Sequence, residues 1–355
     1  MSKILVLSTG RGYGGAEKSI ELLIKGLAKN NIVTVCVSNE RHKKSLENIK
    51  DVKIVEVKNT RFLWIYNIII ILNLLKSNDI IILNTNKDAF CFAIICSFFS
   101  SKNKSILVYI RDYQWRFKHF IFRFLNGAKY LLPTRAILDD NNIKSLLKNK
   151  DFFIVEEPIE VNRDVIYKKG KYILLLANIS KWKGITLLIE AYFKSKVYLK
   201  GVKLIICGGV IDRFYYKEII DLINRYRLQD MVIIRDFQDD IIVKDLYKNA
   251  YFVVNSSISQ YGGPETFGRT IIEAWSEKKA VISFDIGGPK YIIEDKKNGI
   301  LVEEGSIESL SNAIRLLIKD EIFCQKLGEN GYERIRKKNN INFICSRVLD
   351  IARKE

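Results

Sequence analysis

The chain has 355 residues, 48% hydrophobic and 28% charged; this balance excludes a disordered chain, and the length allows about two domains with cores of their own. Lys and Arg number 58 against 40 Asp and Glu, and the net charge of +18 calls for an anionic partner: nucleic acid, a membrane surface or a phosphorylated substrate. Six Cys with no CxxC pair and only two His leave little room for a metal site and read as reduced, mostly buried thiols of a cytosolic protein.

In chain order the first half alternates strands and helices. Lys3–Leu7 is a buried-type strand, Gly10–Gly15 a glycine-rich turn, and Ala16–Lys29 a helix with Ile20, Leu23, Ile24 and Leu27 on one face. Strands follow at Ile32–Val37, Val52–Val57, Ile80–Leu83 and Ile106–Ile110, with a helix over Asp88–Phe99. The longest apolar run, Phe62–Leu75, is interrupted by Asn67 and Asn73 and is shorter than the ~20 residues of a membrane span. No secretory or lipidation signal is visible, and insertion into a membrane surface stays open.

The alternation restarts near residue 171. Tyr172–Ala177, Lys203–Cys207, Met231–Ile234, Tyr251–Val254 and Ala280–Phe284 read as strands. Gly184–Phe193, Tyr215–Tyr226, Arg269–Trp275, Ser306–Ile318 and Asp320–Arg336 read as helices. Such βαβα order predicts an α/β protein with parallel sheets covered on both faces. The acidic segment Asp151–Glu160 suits a linker, which divides the chain into residues 1–160 and 161–335. Residues 101–150 hold 11 basic and 3 acidic groups, including the aromatic and basic run Tyr113–Phe124.

Three segments carry chemistry. Gly10-Arg11-Gly12-Tyr13-Gly14-Gly15 lies between a strand and a helix, where glycines let the backbone approach a phosphate at the helix N-terminus. It matches a dinucleotide GxGxxG, with Glu40 as a ribose-binding acid, and equally a flexible βα turn. Asn178–Gly184 places two Lys at the carboxyl end of a strand, where α/β sheets bind ligands. In Pro264–Ala274, Glu265 sits in a loop and Glu273 on the next helix, with seven residues between them. Two carboxylates so placed accept hydrogen bonds from the hydroxyls of one sugar nucleotide, and the amides around Phe267 and Gly268 face an anion. A capping Glu and a surface Glu are the plainer alternative.

This last segment resembles the E-x7-E signature of the retaining glycosyltransferases of family 4. Gly14-Gly15-Ala16-Glu17 is similar to that family's GGxE, and Lys183-Gly184 with Leu187, Leu188, Glu190 and Ala191 to its KG…LIEA motif. Leu204–Gly209, Gly287-Gly288-Pro289, Glu294 and Asn298-Gly299 follow in the expected order, so the resemblance covers nearly the whole chain. It implies a GT-B fold: two doubly wound Rossmann-like domains with the active-site cleft between them. Residues 1–160 would bind the acceptor and 161–335 the nucleotide sugar, and a helix within 336–355 would return to the N-domain.

The resemblance also implies residue roles. Glu273 would hold the donor ribose, and Glu265 the donor sugar. Thr266, Phe267 and Gly268 would present amides to sugar and diphosphate, and Lys183 would neutralise the diphosphate. Gly15 would approach the phosphate from the N-domain, Glu17 would lie on the acceptor side, and Gln238 near the base. Two positions depart from the pattern. Asn178 stands where the family has an Arg, for which Arg269 or Lys181 is the candidate substitute. Arg111 stands where a His is common; it cannot act as a base, so its role would be charge stabilisation or orientation on the acceptor side, or a surface pair with Asp112.

The implied reaction is sugar transfer with retention, through front-face displacement, without metal or other cofactor. Asp139-Asp140 and Asp239-Asp240 are acidic pairs but not a DxD. Phe62–Leu75 and Tyr113–Arg123 suggest a lipid-linked saccharide acceptor in bacterial surface polysaccharide synthesis, with the protein cytoplasmic and peripheral at an anionic inner membrane face. Buried core and packing helices are the alternative for those runs. A non-catalytic partner subunit, a nucleotide-sugar epimerase of the same fold and a nicotinamide oxidoreductase remain as other readings; no nucleic-acid motif supports a DNA or RNA partner.

Overall fold

The structure is a computed structural model that describes residues 1–58, 64–98, 104–115, 117–236 and 239–354, with the backbone alone for 64–67. It divides into two units, residues 1–160 with 338–355, and residues 161–337.

In the first unit, seven described strands are all parallel: β1 (Lys3–Ser8), β2 (Ile32–Val37), β3 (Val52–Glu56), β4 (Ile80–Leu83), β5 (Ser105–Tyr109), β6 (Lys129–Leu132) and β7 (Phe152–Ile154). Their order is β3-β2-β1-β4-β5-β6-β7, so the winding reverses between β1 and β4. Strand periodicity sends alternate side chains of β1 into different cores: Leu5 and Leu7 into one, Ile4 and Val6 into the other. Burial on both faces explains why these strands read as unbroken apolar runs.

The C-terminal helix, Ile341–Arg353, belongs to this unit. Its Ile344, Cys345 and Val348 join Ile20, Leu23 and Ile24 of the helix Gly15–Leu27 in one core. Gly26 is what permits the approach, since a Cβ there would lie 2.4 Å from both Cys345 Sγ and Ile341 Cγ2. The returning segment starts at residue 338, two residues after the sequence boundary, because the helix Glu321–Lys338 runs on past 335.

The second unit holds six described parallel strands, β8 (Tyr172–Leu176), β9 (Lys203–Cys207), β10 (Val232–Arg235), β11 (Ala250–Asn255), β12 (Ala280–Phe284) and β13 (Ile300–Val302). The order β10-β9-β8-β11-β12-β13 repeats the winding of the first unit, and the reversal falls between β8 and β11. Three strands escape the sequence reading, β6, β7 and β13, each only three or four residues long. The helices Glu40–Glu47 and Asp240–Asn249 escape it too, because polar residues interrupt their narrow apolar faces.

The membrane-facing expectation for Phe62–Leu75 changes here. Within the described part of its helix, Trp64–Lys76, Ile71 is buried and Ile68, Leu72, Leu74 and Leu75 pack against the core, whereas Ile69 faces out. Among the described residues no helix is long and apolar enough to cross a membrane. The described cysteines are all free; burial pushes the thiols of Cys36, Cys324 and Cys345 up to about 12, which keeps them protonated and inert.

One packing contact holds the helix that later carries the site. Arg269–Ser276 buries Ile271, Ile272, Ala274 and Trp275, which leaves Arg269 and Glu273 together on its other side. Trp275 is fully buried and donates Nε1–H to the carbonyl of Asn298 at 2.9 Å. Its ring lies against Gly331, where a Cβ would come within 2.1 Å of Cδ1. Gly331→Ala gains about 1 kcal/mol of helix propensity and loses about 1–3 kcal/mol by overpacking against a ring that cannot turn away. The variant is expected to unfold at a lower temperature than the parent in calorimetry, and an equal or higher midpoint would contradict this packing.

Candidate functional site

At the carboxyl edge of the second sheet, the loops after β8 and β11 leave neighbouring strands at the point where the winding reverses, the usual ligand position in open α/β sheets. Hydrogen bonds lace the two loops together. Ser256 Oγ donates to the Lys183 carbonyl at 2.8 Å, and the Ile258 amide to the Trp182 carbonyl at 2.8 Å. Gly184 lies flat against this seam, with φ of +58° and room for no Cβ, which would fall 2.1 Å from the Ser256 carbonyl oxygen.

The seam brings Lys183 and Glu265 into a direct ion pair between Nζ and Oε1. Ser257 Oγ donates to the same carboxylate oxygen at 3.2 Å, and the Lys183 ammonium stands 3.6 Å from the centre of the Trp182 ring. Behind Glu265, its carbonyl accepts from the Gly288 amide at 2.6 Å. Gly287 and Gly288 must lack side chains, since their Cβ atoms would strike the Glu265 carbonyl and the Phe267 backbone at 2.4 Å. Phe267 is buried, and Gly268, in the left-handed region with φ of +91°, starts the helix Arg269–Ser276. Thr266 lies between Glu265 and Phe267 in the same loop.

A second pair sits one turn into that helix. Arg269 Nε lies 2.9 Å from Glu273 Oε1, and the buried Tyr247 hydroxyl donates to Glu273 Oε2 at 2.8 Å. Both oxygens of Glu273 are thereby oriented. Arg269, read from sequence as a diphosphate cation, is engaged with Glu273 here, while Asn178 is exposed. Lys181 lies 3.8 Å from Glu218 and beneath no part of the Glu265 pair that the structure records. Gln238 lies outside the described residues.

The first unit has its own reversal point, between β1 and β4. Gly14 and Gly15 are exposed at the start of the helix Gly15–Leu27, and Glu17 Oε2 accepts from the Gly14 amide at 2.9 Å. Glu17, expected on the acceptor side, therefore caps its own helix. Glu40 opens the helix Glu40–Glu47 with an exposed side chain 3.9 Å from Lys44 on the same helix. The expected Arg111–Asp112 surface pair is also replaced: Arg111 is nine-tenths buried, pairs with the buried Glu157 and stacks 4.1 Å over the Tyr109 ring. Burial favours Glu157 because Asp112 stays at the exposed surface.

Comparison with known proteins fits this geometry. A model of the family described as glycosyl transferases group 1 matches residues 156–334, half of the chain. The chain belongs to the glycosyl transferases group 1 family. It is 26% identical over 266 residues to the trehalose synthase of Pyrococcus horikoshii, covering 71% of this chain and 61% of that protein. It is 34% identical over 96 residues to the poly(ribitol-phosphate) alpha-N-acetylglucosaminyltransferase of Staphylococcus aureus, covering 27% and 19%. These matches span less than two thirds of the relatives' own length. Among solved structures it is similar to Anabaena HepE in complex with UDP-glucose, with a TM-score of 0.80, 20% identity and 99% of each chain covered. The two share the GT-B architecture of two Rossmann-like domains.

Several residues of this site have no counterpart in the sequence reading. Tyr247 lies on the unassigned helix Asp240–Asn249, where Val243, Leu246 and Tyr247 do keep helical spacing and could have revealed it. Trp182 and Ser257 gain meaning only from the seam. A pocket of about 460 Å3 opens beside that seam, lined by Lys181, Gly184, Thr186, Gln260, Tyr261 and Glu304 with other residues. Among the described residues no cluster of three or more His, Cys, Asp or Glu has metal-binding geometry.

Beneath the glycine turn of the first unit lies a buried polar chain. The Tyr13 hydroxyl donates to Glu21, Asn84 Nδ2 donates to Ser8 Oγ at 3.0 Å, and Ser8 Oγ lies 3.4 Å from His42 Nδ1. Burial pushes His42 from 6.5 down to about 4, so the ring is neutral at pH 7 although Glu21 stands 3.5 Å away. A folded-state value below the unfolded one stabilises the fold fully above pH 6.5 and loses that contribution as the pH falls through 4. The loss is expected to reach about 3 kcal/mol. Urea unfolding of the protein and of His42→Gln across this range measures it: the variant should show the flatter dependence, and parallel curves would refute the assignment.

Proposed function

We propose that the protein is a retaining glycosyltransferase of family 4 that moves a sugar from a nucleoside diphosphate sugar to a saccharide acceptor. The observation that carries this reading is the pairing of Lys183 with Glu265 and of Arg269 with Glu273 around one loop whose amides open a helix. The carboxylates suit sugar and ribose hydroxyls, and the cations and the helix N-terminus suit a diphosphate. UDP-glucose bound to the Anabaena neighbour supports a nucleotide sugar as donor.

In this reading Glu273, oriented by Tyr247, accepts from the ribose hydroxyls, and Glu265 from the donor sugar. Lys183, aided by Arg269, Thr266, Phe267 and Gly268, stabilises charge on the departing diphosphate. The bond from C1 to the β-phosphate oxygen breaks while the acceptor oxygen bonds C1 on the same face. The acceptor proton passes to the leaving phosphate oxygen. Charge stabilisation by side chains and amides gives the reaction no need of a resident metal. Gly15, Glu17 and Arg111 belong to the first unit, which in this reading serves the acceptor.

A thermal-shift screen against UDP, GDP, TDP, CDP and ADP tests the donor site. One nucleotide at ~100 times its Kd should stabilise the protein by ~2.7 kcal/mol and leave Glu273→Ala unshifted. No shift with any of the five, or an equal shift in the variant, would overturn the reading.

The acceptor we propose is a lipid-linked saccharide of bacterial surface polysaccharide synthesis (lipopolysaccharide, capsule or a related glycan), met at the cytoplasmic face of the membrane. The Staphylococcus aureus relative, named for a poly(ribitol-phosphate) acceptor, supports a large polymeric acceptor. Phe98 and Phe117 are 79% and 62% exposed, Phe117 stacks on Phe90, and Lys118 and Arg123 share the short helix Lys118–Phe124. Exposed aromatics beside cations suit anionic headgroups. The protein should sediment with phosphatidylglycerol vesicles at physiological salt and lose this with Phe98→Ser and Phe117→Ser together; absence of sedimentation would refute the membrane contact.

A further inference from the structure

The first unit contains a buried carboxylate that the reaction above leaves unused. Asp88 is 1% exposed and sits at the start of the helix Asn86–Phe98, on the loop that leaves β4. It accepts four hydrogen bonds from two different loops. Oδ1 takes the Thr9 amide at 2.9 Å and the Thr9 hydroxyl at 2.6 Å. Oδ2 takes the Thr85 amide at 3.1 Å and the Thr85 hydroxyl at 2.7 Å. The adjacent Lys87 donates from Nζ to the Thr9 carbonyl at 2.8 Å. Residues 87 and 88 thereby grip the amide, the hydroxyl and the carbonyl of Thr9 at once.

Thr9 is the last residue before Gly10-Arg11-Gly12-Tyr13-Gly14-Gly15. A turn with four glycines loses much conformational freedom when it is fixed. The turn is also tied by Ser38 Oγ to the Thr9 carbonyl at 2.9 Å, by Asn39 Nδ2 to the Arg11 carbonyl at 2.7 Å, by Glu17 to the Gly14 amide and by the Tyr13 hydroxyl to Glu21. The Asp88 contact spans the reversal point of the sheet, from the loop after β1 to the loop after β4, beside the buried bond from Asn84 to Ser8. Burying an ionised carboxylate is costly unless its lone pairs are filled, and here two threonines fill them at fixed positions. Burial raises the Asp88 carboxyl above its usual range, and the bonds from Thr9 and Thr85 with the nearby Lys87 pull it back down.

We infer that Asp88 is a positioning residue, which through Thr9 and Thr85 sets the glycine turn of the first unit in the geometry that sugar transfer requires. The inference rests on the transferase reading for the turn's use, and on the hydrogen bonds alone for the clasp. Asp88→Asn keeps the shape but turns an amide NH2 toward groups that are themselves donors. Thr85→Val removes the hydroxyl, which also accepts from the Asp88 amide at 3.3 Å at the helix start, and Thr85→Ser retains it.

The test combines amide hydrogen exchange, nucleotide binding and turnover. In Asp88→Asn the amides of residues 9–15 should exchange at least ten-fold faster. The nucleoside diphosphate Kd, set in the second unit, should stay within two-fold. The kcat of transfer should fall ten-fold or more, Thr85→Val should fall between variant and parent, and Thr85→Ser should recover most of the loss. Unchanged exchange in Asp88→Asn, or a loss of nucleotide affinity as large as the loss of kcat, would overturn the positioning role. A parent protein that binds nucleotide but transfers no sugar would instead overturn the transferase reading, and exchange would still decide the clasp. Should Asp88→Asn fail to fold, the Thr85→Val and Thr85→Ser pair decides on the same readouts.

Discussion

Everything at the second unit's site depends on how closely two loops can approach. The backbone at Gly184 lies so near the Ser256 carbonyl that a Cβ would stand 2.1 Å from its oxygen, and its φ of +58° is itself costly for other residues. Any side chain there would push the β8 loop off the β11 loop. The bonds from Ser256 Oγ and the Ile258 amide, each worth about 1 kcal/mol net, hold the seam once the glycine allows it. Lys183, immediately before that glycine, extends across the seam to Glu265, beside the Trp182 ring. The ion pair is a consequence of the close packing and not its cause.

The two pairs are poor devices for stability. Lys183, Glu265, Arg269 and Glu273 have side chains only 13–19% exposed, so desolvation offsets much of their attraction. Apolar residues of similar volume would hold the loops as well. What the pairs provide is charge fixed at the sheet's carboxyl edge, with Trp182 and Tyr247 limiting where Lys183 and Glu273 can turn. Preorganised charge of this kind does its work when a ligand exchanges places with one partner. The first unit repeats the winding but not the chemistry: its reversal point carries glycines, threonines and the buried carboxylates Asp88, Glu17 and Glu21, with the arginine pair Arg111–Glu157 set apart on the β5 side.

How much of this was legible in the sequence follows from which interactions are local. Longer apolar strands such as β1, β2 and β12 read correctly because burial on both faces leaves little ambiguity. β6, β7 and β13 did not, since three or four residues carry no period and their pairing is set by distant neighbours. Glu265 and Glu273 were legible as a spaced pair, but their partners were not: Lys183 is 82 residues from Glu265, and Tyr247 is 26 from Glu273. Arg111 invited pairing with its neighbour Asp112, yet burial selected Glu157 at a separation of 46. Asp88 gave no signal at all, because a single Asp near a helix start reads as a cap.

The glycines on the far side of the site loop explain why its backbone, and not only its side chains, belongs to the function. Gly287 and Gly288 lie behind Glu265 and Phe267 so closely that either Cβ would collide with main-chain atoms at 2.4 Å. The Gly288 amide meanwhile occupies the Glu265 carbonyl. The loop is therefore clamped from behind by backbone and from the front by the Gly184 seam. A segment fixed on both sides cannot adapt its amides to a ligand; it must present them already in place. In the proposed reading, with Lys183 held by Glu265, a diphosphate would meet a field that needs little reorganisation, and most of the rearrangement would fall on one side chain: the Lys183 ammonium would pass from the carboxylate to the diphosphate. In the proposed reading Glu265 then accepts from the sugar hydroxyls, so the ion pair divides into two binding groups for one donor.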